Sequence, residues 1–174
     1  MEILLSECYG FCGGVKRAVG SAFQTAEAYD DVKILGELVH NAQVNDDLRA
    51  KGVELIDEAN LPSNATVITR SHGTTKALKE ELNAKGNRVV DTTCPFVSRI
   101  YTMVEENNAK GIPVVIVGDK EHPEVKGIAS YGDDVYIVGE ADEVDALPLS
   151  EKNQIALVSQ TTNPKKLVDS VEER

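Results

Sequence analysis

The sequence predicts an α/β fold of parallel sheets with helices on their faces. Three observations carry that expectation. Short β-branched runs alternate with stretches of helical spacing along the whole chain. Loops rich in glycine and histidine follow the strand-like runs, as they do at the C-terminal edge of parallel sheets. The loop pattern also recurs: Gly36-x-x-x-His40 returns as Gly118-x-x-x-His122, and Ser71-His72-Gly73-Thr74-Thr75 has a looser counterpart in Ser159-Gln160-Thr161-Thr162.

The elements follow in order. Residues 3–5 read as a strand, and Cys8-Tyr9-Gly10-Phe11-Cys12-Gly13-Gly14 as a glycine-rich turn. Val15, Ala18, Val19, Ala22, Phe23 and Ala26 then fall on one helical face. Residues 32–35 are strand-like, 44–51 helical with a stop at Gly52, and 65–69 strand-like again. A helix carrying Ala77, Leu78 and Leu82 ends at Gly86. Residues 88–91 form the next strand. Pro95 suits the first position of the helix beyond, because its missing N–H is unused there. Phe96, Val97, Ile100, Tyr101 and Val104 continue that helix to Lys110-Gly111. The second round has strands at 113–117, 135–138 and 155–158. Its helices start at Pro123 and around Leu167, and an acidic helix or turn runs to about Ala146. These rounds predict two similar domains, 1–95 and 96–174, the second lacking a counterpart to the strand that leads to Cys94.

Composition narrows the function. The chain has 174 residues and a net charge of −11, from 29 acidic and 18 basic side chains. That balance disfavours nucleic acid and anionic membranes as partners, so any bound anion must be held by local donors. No apolar run is long enough to span a bilayer, and the start lacks the basic region of a secretory signal. Three cysteines are too few and too odd in number for a disulfide framework, which points to a reducing cytoplasm.

Cys12 and Cys94 each precede a predicted helix. A thiol at that place faces the positive end of the helix dipole, which favours thiolate; the bland reading is a packed cysteine. All three histidines, His40, His72 and His122, fall in loops after strands. With the helix N-termini near Gly73, Thr74, Thr75, Thr161 and Thr162, they make a plausible anion site. Zinc is the competing use of these residues, but no Cys-x-x-Cys or close His pair supports it. Glu124, two residues past His122, either complements a helix dipole or donates a proton.

Six motifs in order carry a resemblance: Gly-Phe-Cys-Gly-Gly-Val (10–15), Val-His-Asn (39–41), Ser-His-Gly (71–73), Asp-Thr-Thr-Cys-Pro (91–95), His-Pro-Glu-Val (122–125) and Ser-Gln-Thr-Thr (159–162). Together they resemble the 4-hydroxy-3-methylbut-2-enyl diphosphate reductase family, which closes the methylerythritol phosphate route to isoprenoids. The resemblance implies two of three similar α/β domains in a pseudo-threefold fold around a [4Fe–4S] cluster, the third domain being absent from this chain. It implies Cys12 and Cys94 as cluster ligands, with one iron left open for the substrate hydroxyl. His40, His72 and His122 are matched to residues around the diphosphate and that oxygen. Glu124 corresponds to the proton donor, and Thr161 to its hydrogen-bond partner. Reductive dehydroxylation to isopentenyl and dimethylallyl diphosphate would draw electrons from a ferredoxin or flavodoxin.

The third cysteine and a Ser/Asn-rich diphosphate loop of the family lie beyond what this chain matches, so it is expected to be inactive alone and to hold a cluster poorly. Cys8 is expected to be a packed or free thiol. The alternative, from a different class, is a non-catalytic α/β module for a small phosphorylated ligand that needs no iron.

Overall fold

A computed structural model describes residues 3–4, 6–7, 9–150 and 152–174. Two parallel sheets form the frame. The first contains β1 (Val32–Leu35), β2 (Glu54–Ile56), β3 (Thr66–Ile68) and β4 (Arg88–Val90), in the order β2-β1-β3-β4. The second contains β5 (Val114–Val117), β6 (Val135–Val138) and β7 (Ala156–Ser159), in the order β6-β5-β7. All five strand pairings are parallel. The centre strand of each round comes first in sequence and pairs with the next two, so the repeat seen in the loops is also a repeat of topology.

Among the described residues six α-helices cover the sheets: α1 (Gly13–Ala28), α2 (Ala42–Ala50), α3 (Lys76–Ala84), α4 (Pro95–Ala109), α5 (Pro123–Ala129) and α6 (Lys165–Glu172). Alternate strand residues point to opposite faces, so each sheet has two cores. Val32 and Ile34 of β1 face α1 and α2 through Ala18, Ala22, Val44 and Leu48. Leu35 and Val67 face α3 through Leu78 and Leu82. In the second sheet Val114, Ile116 and Val158 meet Val97, Tyr101 and Val104 of α4 and Val125 and Ile128 of α5. Val115, Val117 and Val138 meet α6 and a short 3-10 helix, Ala141–Ala146. Cover on both faces of the second sheet explains why β5 is buried at every position.

Several boundaries and two elements differ from the sequence expectation. Ile3 and Leu4 form no strand and stand exposed at 73% and 85%; Leu5, like Cys8, lies outside the described residues. β2 is absent from the sequence reading because Glu54-Leu55-Ile56 is short and half-exposed. Its partner in the repeat, β6, is longer and β-branched, so aligning the two rounds would have found β2. The acidic stretch, expected as a helix or turn to about Ala146, is the 3-10 helix that ends there. Phe96, expected on the buried face of α4, is 74% exposed, while Val97, Tyr101 and Val104 carry the packing.

Two devices tie the site loops to this frame. Gly36, with φ +70°, turns the chain out of β1 as its N–H donates to the Ile56 carbonyl at 2.8 Å. Gly118 makes the equivalent bond after β5, its N–H donating to the Val138 carbonyl at 2.9 Å. At Gly118 a β-carbon would stand 2.7 Å from Val125, so α5 can approach the sheet only over a glycine.

Candidate functional site

Cys94 is the N-cap of α4, with Pro95 as first helical residue, and Cys12 is the N-cap of α1. Neither side chain caps its helix, and both thiols are free. Asp-Thr-Thr ahead of Cys94 explains how that thiol is held. The Asp91 carboxylate accepts from the Thr93 N–H at 2.9 Å, the Thr93 hydroxyl at 2.5 Å and the Thr69 hydroxyl at 3.2 Å. It also pairs with Lys79 at 2.6 Å. Burial alone would raise the Asp91 pKa, but Lys79 and the Thr93 bonds outweigh it and bring the value down to about 2. Thr92 donates to the Thr69 carbonyl at 2.5 Å, and the Cys94 N–H to the Ser71 carbonyl at 2.7 Å. The loops after β3 and β4 are thus stitched together, and α1 joins them where Arg17 donates to the Thr93 carbonyl at 2.5 Å.

Gly14 measures how close the two sulfurs come. A β-carbon there would sit 2.7 Å from Cys94 Sγ and 4.0 Å from Cys12 Sγ. The sulfurs are therefore no farther apart than the sum of those distances. Two cysteine sulfurs at two helix N-termini, converging over a glycine, suit a soft metal centre. Among the described residues no third Cys, His, Asp or Glu joins them to complete a metal-binding group. The fit to a three-thiolate cluster thus extends to two of its ligands.

Beside the sulfurs lies a cavity of ≈ 390 Å³. It gathers Cys12, Cys94, His40, His72, His122, Glu124, Thr161 and Thr162, every site residue singled out in the sequence apart from Gly73, Thr74 and Thr75. The His40 and His72 rings stack with centroids 5.4 Å apart, and His122 meets His72 edge-on at 6.2 Å. The rings differ in setting. His72 is half-buried beside Arg70 and the other two imidazoles. Burial first, and those neighbours second, push its pKa down to about 4, so it is neutral at pH 7. His122 caps α5: its Nδ1 accepts from the Glu124 N–H at 3.1 Å, which leaves the proton of a neutral ring on Nε2. His40 stands at the rim, 78% exposed at its side chain and 3.7 Å from Glu37.

Glu124 is 3% exposed. Both carboxylate oxygens are bound by one residue: the Thr161 N–H donates to Oε1 at 2.6 Å and the Thr161 hydroxyl to Oε2 at 2.9 Å. Thr162 is held in turn by Gln160, whose Nε2 donates to Thr162 Oγ1 at 2.8 Å while its Oε1 accepts from the Asp119 N–H at 3.2 Å. The lining contains no Lys or Arg, so an anion would be met by imidazole, hydroxyl and amide donors. Phe11, Val15, Val39 and Val97 make an apolar wall that the sequence reading did not single out. Its signal is the alternation of small apolar residues with the motif residues, as in Val39-His40.

One expectation is corrected. Gly73, Thr74 and Thr75 do not line the cavity. Gly73 and the buried Thr74 pack toward Tyr101, and Thr75 caps α3 by accepting from the Leu78 N–H at 3.3 Å. Of that loop only Ser71 and His72 face the site. A larger groove of ≈ 610 Å³ between Arg17 and α4 carries none of the histidines or cysteines.

Comparison with known proteins follows the same lines. The family described as LytB protein matches residues 3–174. The chain is 46% identical over 168 residues to the 4-hydroxy-3-methylbut-2-enyl diphosphate reductase of Caldanaerobacter subterraneus, covering 93% of this chain and 58% of that protein. It is 42% identical over 163 residues to the reductase of that name from Geobacter sulfurreducens, covering 93% and 57%. Among solved structures, E-1-hydroxy-2-methyl-but-2-enyl-4-diphosphate reductase from Plasmodium falciparum superposes with a TM-score of 0.89 at 25% identity, over 96% of this chain and 54% of that one. A structure of (E)-4-hydroxy-3-methyl-but-2-enyl diphosphate reductase, described as the terminal enzyme of the non-mevalonate pathway, gives 0.86 at 34% identity, over 97% and 61%. The chain spans less than two thirds of each of these proteins.

Proposed function

The chain belongs to the LytB protein family, and we propose that it carries two of three cluster ligands and the proton-donating side of a site for reductive dehydroxylation of 4-hydroxy-3-methylbut-2-enyl diphosphate. The observation that carries this reading is the convergence of Cys12, Cys94, three imidazoles and buried Glu124 on one cavity. The reaction replaces a C–O bond by C–H, consumes two electrons and two protons, and releases water with isopentenyl or dimethylallyl diphosphate. Cys12 and Cys94 would hold a [4Fe–4S] cluster, which when bound supplies the electrons and a Lewis acid for the leaving oxygen.

This chain's residues do the rest. The apolar wall of Val15, Val39 and Val97 suits the branched carbon skeleton and excludes water from it. His72 as a neutral donor, His122 through Nε2–H, His40 at the rim and the Thr162 hydroxyl suit diphosphate oxygens. Holding that end fixes the reacting end. Glu124, bonded through both oxygens to Thr161, would deliver a proton through that residue. A proton on Oε2 can pass to Thr161 Oγ1, whose own hydrogen then turns into the cavity. The threonine N–H meanwhile remains on Oε1 and keeps the carboxyl oriented.

We infer two domains, 1–95 and 96–174, supported by the packing of α4 with the second sheet. Localisation is proposed as cytoplasmic, with ferredoxin or flavodoxin as electron donor. No helix among the described residues is long and apolar enough to cross a membrane. The chain spans about 58% of the length of such a relative. Anaerobic reconstitution with iron and sulfide tests the reading. A brown species lost in Cys12→Ser and in Cys94→Ser supports it. Pyrophosphate binding with no iron taken up would favour the phospho-ligand module instead.

A further inference from the structure

Tyr101 lies on α4 outside the cavity, yet its hydroxyl sits where the site-bearing segments meet. The residue is 5% exposed, and its ring stacks on Tyr131 at 4.1 Å. A β-carbon at Gly73, the residue after His72, would overlap the Tyr101 hydroxyl. At Gly127, one turn past Glu124 on the same face of α5, it would come within 2.7 Å of the same oxygen. The Thr93 methyl, next to Cys94, lies 3.3 Å from the Gly73 position. Two glycines on two different site elements are thus pared back around one oxygen. That oxygen approaches the Thr74 backbone without the geometry of a full hydrogen bond, and Thr74 Oγ1 also has no partner. The contact is therefore set by shape and not by bonding. Removing the oxygen takes away the object that holds the two backbones apart, in an interior where neighbours close on a void only partly.

We propose that Tyr101 is a positioning residue whose hydroxyl, wedged between Gly73 and Gly127, sets the spacing between the His72 loop and the Glu124 helix. It is not among the residues that line the cavity and acts through the two backbones. The inference deepens the site reading above and rests on it only for the ligand measurement.

Tyr101→Phe keeps the ring and its stack on Tyr131 while deleting the wedge. Ring resonances of the three histidines, assigned by single His→Gln variants, report the geometry in the chain without any ligand. Tyr101→Phe is expected to move the His72 and His122 resonances while the melting temperature changes little. It is also expected to weaken inorganic pyrophosphate binding by about threefold or more, the low end of coupling between touching residues. Gly127→Ala should displace the same resonances, and Tyr101→Phe/Gly127→Ala should return them toward the Tyr101→Phe positions, because the added methyl then meets no oxygen. A purely structural Tyr101 would lower the melting temperature and leave the ring resonances in place; that result in Tyr101→Phe overturns the proposal even if Gly127→Ala fails to fold. Failure of the wild-type chain to bind pyrophosphate would count against the site reading alone, since the resonance comparison decides the wedge by itself.

Discussion

Gly14→Ala separates the stability of the chain from its capacity to hold a cluster. Gly14 is the second residue of α1 and has ordinary helical backbone geometry, so alanine is tolerated there by the chain itself. Replacing a helical glycine stabilises by up to about 1 kcal/mol, less in the first turn. Against that stands the new methyl, 2.7 Å from Cys94 Sγ and 3.5 Å from Cys94 Cβ. Carbon and sulfur normally touch near 4 Å, so the sulfur must move by roughly 1 Å or turn to another rotamer. A half-exposed thiol turns at a cost of about 0.5–1.5 kcal/mol. The two effects nearly cancel, and the urea midpoint of the iron-free variant should fall within about 1 kcal/mol of wild type. Cluster loading has no such compensation, because the methyl occupies the space between both sulfurs. Iron and sulfide per chain after anaerobic reconstitution should drop to the level of Cys94→Ser. Loading equal to wild type would refute the claim that the two sulfurs converge over Gly14.

Further outcomes follow from the same geometry. Thr161→Val leaves Glu124 Oε2 buried without its hydroxyl partner, which should cost about 1–3 kcal/mol in urea unfolding, while Thr161→Ser should recover most of it. His72 has a folded pKa near 4 against 6.5 for a free ring, so folding favours its neutral form. Its contribution is complete above pH 6.5 and is lost as pH falls toward 4, up to about 3 kcal/mol; His72→Gln should flatten that part of the stability–pH curve. Asp91, held down to about 2, contributes stability above the ordinary carboxylate pKa that is lost on acidification toward 2. Asp91→Asn should therefore cost about 1 kcal/mol after allowance for its partial exposure, and should speed amide exchange at Thr93 and Cys94.

Much of the fold is legible in short windows because it is decided there. Val114–Val117 is an unbroken β-branched run that suits a strand buried on both faces, Val32–Leu35 carries Val32 and Ile34 in the same way, and both strands were expected. Pro95 and Pro123 mark helix starts by local sterics alone. β2 escaped because three half-exposed residues hold too little periodicity, although the repeat carried the missing information. Phe96 fits the helical spacing yet faces outward; spacing names a face and says nothing about whether a neighbour arrives to cover it.

The site divides in the same way. Residue types and their place after strands already single out Cys94, the three histidines and Glu124, because a parallel sheet delivers such loops to one edge, whereas Cys12 is marked by its place before α1. Which hydroxyls face the cavity was not legible. Thr74 and Thr161 stand in similar loops, but the hydroxyl of one is buried without a partner and that of the other holds Glu124. The neutral state of His72, the shared oxygen between Gly73 and Gly127, and the meeting of two sulfurs over Gly14 depend on atoms far apart in sequence. Local chemistry determined which groups could act; only long-range packing decided which of them meet, because distance and burial are set by contacts that no single stretch of chain contains.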